Sequence, residues 1–140
     1  MTAMAKTISP QQALIYIMVT MSGVGGSIDD KSLHAIGQIV SELPVFRDFD
    51  ATKLTIIAEQ CGEILQADEG LATVFGLASE ALTPRLRETA YALAVEVAAA
   101  DLAVGREELR FLAMLRDHLG LDKLVTAALE RSAIARYHTE

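Results

Sequence analysis

Residues 13–21, ALIYIMVTM, are apolar on nearly every side a helix can present, and YALAVEVAAA at 91–100 repeats the case with Glu96 as its one charge. A helix that is apolar all round must be surrounded by other elements. The chain is therefore expected to fold around two buried rods, with amphipathic helices packed on them. The first run, Ala13 to Met21, is too short to span a bilayer. No alternation of apolar and polar residues competes for a strand reading. These features predict an all-α bundle, a single domain over 1–140 with its core at about 10–125.

Punctuation divides the chain into about seven helices. Ser9 and Pro10 open the first, with Gln12 placed to reach back in a capping box, and glycines 23, 25 and 26 close it. The second begins near Ser27, carries Leu33, Ile36, Ile39, Val40 and Leu43 at helical spacing, and stops before Pro44. The third starts near Asp50, with Leu54, Ile57, Ala58, Cys61, Ile64 and Leu65 on one face; the fourth carries Leu71, Val74, Phe75, Ala78 and Leu82. Thr83-Pro84 caps the fifth. The sixth covers about 106–119, with His118 in its last turn and Gly120 after it. Asp122 caps the seventh, which is expected to pack through Leu124, Val125, Ala128 and Leu129.

Charge narrows the function classes. The net charge is -7, with four basic and ten acidic residues in 1–80 against eight and nine in 81–140. Such a surface repels phosphate backbones and anionic membranes, so neither nucleic-acid binding nor membrane insertion is expected. Divalent cations and basic partners are its complements. Cys61 is the one cysteine, which rules out an intramolecular disulfide or a thiolate zinc site, and no signal-peptide pattern begins the chain. A cytoplasmic protein is expected. No Ser-His-Asp or Cys-His set stands out, and SGVGGS lacks the lysine and spacing of a phosphate loop, so the reading is non-enzymatic. Cys61 itself lies on a core stripe and reads as a small inert hydrophobe.

A shift of 76 residues lays Ile17, Met18 and Met21 over Leu93, Ala94 and Val97, and Leu33, Ile36, Ile39 and Leu43 over Leu109, Leu112, Leu115 and Leu119. The pattern suggests a pseudo-repeat of two helix-turn-helix units built on the central first and fifth helices. In the second unit, AAADLAVGREEL at 98–109 gathers Asp101, Glu107 and Glu108 at one corner.

That stretch resembles the A-D-G-x-I-x-x-x-E corner of the TerB-like, tellurite-resistance family, through Ala100, Asp101, Val104 and Glu108. The resemblance runs over roughly 10–125. It implies an all-helical fold with such a corner in each half, a place in tellurite or metal stress response, and a divalent cation such as Ca²⁺ or Mg²⁺. Here the usual glycine after the aspartate is Leu102, and in the first half the positions of the acidic pair are Gly25 and Ser32. Direct capture of an anionic oxide fits poorly with the net charge of -7.

The corner has two readings. Asp101 at one helix end and Glu107 and Glu108 in the next first turn could share a hard cation, with turn carbonyls and water completing its oxygen shell. Alternatively the glutamates complement a helix N-terminus and Asp101 caps the turn. Glu96 has a parallel pair of readings: an exposed face or an arginine partner such as Arg85 or Arg110, against a cation ligand near Asp101. The rival to the cation module is an interaction or dimerisation scaffold, with apolar residues on the third, fourth or seventh helix meeting a protein partner or a second copy.

Overall fold

A computed structural model describes residues 7–24, 28, 30–100 and 104–140. Its elements are α1 (Pro10–Val24), α2 (Asp30–Glu42), 3-10 turns at Pro44–Phe46 and Ala51–Lys53, α3 (Leu54–Gln66), α4 (Gly70–Ala81), α5 (Pro84–Ala100), α6 (Arg106–Leu119) and α7 (Lys123–Arg136). The fold is all-α; no strand occurs among the described residues.

Local chemistry sets most of the helix ends. The Gln12 N–H donates to Ser9 Oγ at 3.1 Å while Ser9 N–H donates to Gln12 Oε1 at 3.0 Å, the reciprocal capping box. Thr83 Oγ1 accepts from Leu86 N–H, and Asp122 from Leu124 N–H at 2.8 Å. Gly120, at φ +66°, closes α6 in the left-handed conformation that glycine adopts without strain. Asp50 caps as well, but it caps the 3-10 turn through Thr52 N–H, so α3 begins at Leu54 rather than near Asp50.

All nine residues from Ala13 to Met21 are buried, and α1 packs against α2, α3, α4, α5 and α6. Along α5, seven residues from Ala90 to Ala98 are buried, and this helix packs against α1, α2, α6 and α7. The two all-round apolar segments are therefore the central pair. Phe75 of α4 fills the space between α4 and α6, stacked on Phe111 with ring centroids 5.6 Å apart and on His118 at 4.5 Å.

The seventh helix is rotated from its sequence expectation. Leu124 is 78% exposed and Ala128 is exposed, while Val125 and Leu129 are half-buried; the fully buried residues are Thr126 and Ala133. Polar contacts to α5 explain the rotation. Tyr91 Oη donates to Glu130, and Glu96 accepts from Arg136 and from Tyr137 Oη. These contacts require residues 130, 136 and 137 to face α5, which turns Leu124 outward. Residue numbers rise together across both contacts, so α7 runs parallel to α5.

The starts of α2 and α6, Asp30 and Arg106, differ by the 76-residue shift seen in the sequence. Burial does not follow it throughout. Ile36 and Leu112 are both buried, but Leu33 is half-buried where Leu109 is 58% exposed.

Candidate functional site

The acidic corner lies where α5 gives way to α6. Glu108 reaches back one turn and its Oε1 accepts the Gly105 backbone N–H at 3.0 Å. This is one arm of a capping box; glycine has no side chain to supply the other. Glu107 stands exposed in the same turn, with no hydrogen bond or ion pair among the described residues. Both carboxylates complement the positive end of α6. Asp101, the third residue expected at this corner, lies outside the described residues. Among those described, no three His, Cys, Asp or Glu side chains gather as a metal-ligand set.

Half-buried Glu96 has an arginine partner, but from an element that sequence spacing did not indicate. Arg136 donates to Oε1 and Tyr137 Oη to Oε2, the latter at 2.6 Å. Arg85 and Arg110 do not form this pair. Both Glu96 oxygens are thus engaged by α7. Donation to Glu96 holds the Tyr137 phenol above its usual pKa, with burial adding to the shift.

Cys61 sits at the α1–α3 contact. Its Sγ lies 3.6 Å from both the Tyr16 carbonyl and Thr20 Oγ1, and Thr20 Oγ1 donates to the same carbonyl at 2.7 Å. Burial pushes the thiol up to about 11 although the Thr20 contact opposes the shift. A thiolate is therefore not populated near neutral pH, and this cysteine is no nucleophile.

The same shift carries a stability consequence. Below about pH 9 the thiol is protonated in both folded and unfolded chains, and its contribution is fully present. Between about pH 9 and 11 the unfolded chain gives up the proton and the folded chain keeps it, so stability falls as pH rises. The loss is on the order of 2–3 kcal/mol and levels off above the folded value. Cys61→Ala is expected to cost about 1 kcal/mol at pH 7 and to flatten part of the alkaline fall. Denaturant titrations at pH 7, 9 and 11 check both. Rapid labelling of the folded protein by a thiol reagent at pH 7 contradicts the assignment.

His118 lies at the α4–α6 contact. It acts through its ring, stacked on Phe75, as well as by its place in the last turn of α6. A shallow recess of about 440 Å³ lies beside the end of α2, lined by Val40, Leu43, Phe46 and Phe49 with exposed Glu42 and Arg47. It holds no constellation of reactive groups.

The most unusual surface is the outer side of α7. Leu124 at 78% and Ile134 at 48% exposure stand on it with exposed Ala127, Ala128, Arg131 and Ala135. Helical spacing places Leu124, Ala128, Arg131 and Ala135 along one line. Sequence reading named α7 as a possible contact helix but assigned Leu124 and Ala128 to the core. Ile56 on α3, 56% exposed, is a further isolated apolar residue.

Compared with protein-family models, with curated proteins and with solved structures, the chain matches none. No helix among the described residues is long and apolar enough to cross a membrane.

Proposed function

We propose that this chain is a non-enzymatic helical interaction module whose contact surface is the outer side of α7. The observation behind this reading is the exposure of Leu124 and Ile134 on a helix that turns its polar residues inward to α5. Large apolar side chains left in water along one helix are suited to cover by another protein surface. A second copy is the simplest occupant. Two α7 helices laid antiparallel about a twofold axis near position 129 bring Leu124 of each level with Ile134 of the other. The intervening alanines permit close approach, and the Arg131 stem can lie along the contact with its charged end in water.

Sedimentation equilibrium tests this reading. The expected result is a mass that rises above the monomer with concentration and stays monomeric in Leu124→Glu. A monomeric mass for the unmodified chain at every concentration overturns self-association.

The resemblance to the TerB-like family supports a second role, in tellurite or metal stress response, with one divalent cation at the α5–α6 corner. Glu107 is uncommitted and Glu108 keeps Oε2 for a ligand beside its cap. On this reading Asp101 and Glu108 hold Ca²⁺ or Mg²⁺, with Glu107 as an added ligand. Binding to the folded state adds about 2.7 kcal/mol at a hundredfold excess over Kd, and Asp101→Asn removes most of that gain. Capping alone predicts no metal-dependent stabilisation and a loss of about 1 kcal/mol in Glu108→Ala. Melting curves with chelator and with each cation distinguish the two.

A further inference from the structure

The attachment of α7 differs from that of the central helices α1 and α5. Only Thr126 and Ala133 of its fourteen residues are buried, both of them small, and its principal contact is α5. What holds it is largely polar: the Tyr91–Glu130 hydrogen bond midway along, and the Glu96 carboxylate taken by Arg136 and Tyr137 at the far end. Leu129 adds a half-buried apolar contact. By contrast α1 buries nine consecutive residues.

The joint between α6 and α7 is complete without the docked helix. The last turn of α6 is closed by its own residues, with Gly120 N–H on the Asp117 carbonyl at 3.2 Å and Leu121 N–H on the Arg116 carbonyl at 3.0 Å. The first turn of α7 is capped by its own Asp122. Moving α7 away leaves no orphaned backbone group at this joint. The separation instead removes two polar clasps and the cover of Thr126, Leu129 and Ala133.

We propose that α7 is a detachable arm, which leaves α5 as a unit while α1–α6 stay folded, and whose docked fraction is set by the Tyr91 and Glu96 clasps. Partial opening of this kind is expected where few apolar contacts tie a segment to its fold. Opening frees the side of α5 that carries Tyr91 and Glu96, the two groups bound to α7 in the docked form. This inference goes beyond the contact role of the outer side of α7 and does not need it.

Native-state hydrogen exchange on the full chain decides the point. Amides of 127–136 are expected to share one protection factor, at least tenfold below that of 14–21. Glu96→Gln is expected to lower protection in α7 further, roughly tenfold for a charge-assisted bond. The discriminating variant is remote. Ile36→Val removes one methyl from a fully buried site on α2, which lies against α1 and α5 and away from α7. It should lower protection of the α1 amides roughly two- to tenfold and leave the α7 amides unchanged, because their opening precedes loss of the bundle. Equal protection of α7 and α1 in the unmodified chain overturns the proposal. So does a fall in α7 equal to that in α1 for Ile36→Val, or a graded loss from Tyr137 inward that marks end fraying.

Discussion

Gly70→Ala is expected to be among the most destabilising single changes in the chain, at about 3 kcal/mol or more. A Cβ at this position would lie 2.2 Å from the Ile64 carbonyl oxygen and 2.7 Å from the Leu65 Cα. Both are backbone atoms, so no side-chain rotation relieves the clash. The constraint arises from the turn between α3 and α4, where Ala67 N–H bonds the Ile64 carbonyl and Gly70 N–H bonds the Ala67 carbonyl. The same turn holds Glu69 at φ +56°, a conformation that costs a residue with a side chain about 1 kcal/mol. Glu69→Gly should accordingly be neutral or stabilising. Urea denaturation reads both variants; a Gly70→Ala protein within 0.5 kcal/mol of the parent would mean that the two helices do not approach as described.

Phe75→Ala should lose about 3–5 kcal/mol, the cost of truncating a large buried aromatic. Phe75 is 1% exposed, and its two ring partners, Phe111 and His118, both belong to α6. Truncation removes the aromatic contact between α4 and α6 and leaves a cavity that rigid neighbouring helices cannot close. An unchanged urea m-value with a lowered midpoint is the expected form of the loss. A cost below about 1 kcal/mol would place Phe75 nearer the surface.

Much of this fold was legible because its decisive signals are local. Ser9 with Gln12, Thr83, Asp122 and Gly120 mark helix ends through bonds that span two to five residues. The all-round apolar character of 13–21 and of the second half of α5 was enough to place both at the centre. Cys61, on a stripe with the period of a helix, is buried as that stripe implied. At the acidic corner, the place of Glu107 and Glu108 in the first turn of α6 was legible, but the Glu108 bond to the Gly105 N–H was not.

The rest depended on contacts that no local period encodes. Glu96 stood out as a charge within an apolar run, yet its partners lie about forty residues away, and nothing in the spacing preferred Arg136 over Arg85 or Arg110. Reading α7 by its apolar residues faced Leu124 inward; tertiary structure reversed this, because Tyr91 and Glu96 bind polar groups on its other side. Likewise, the role of His118 at a helix end was visible in the chain, but its stacking on Phe75 required α4 and α6 to meet. Sequence alone determined which segments are helices, most of their ends and which two are buried, since those outcomes follow from backbone capping and apolar periodicity within each segment. The start of α3 was displaced because Asp50 caps a 3-10 turn instead. Only the tertiary structure decided how α7 is rotated and which apolar side chains remain in water, because a few long-range polar contacts outweigh the weak amphipathic preference of an alanine-rich helix.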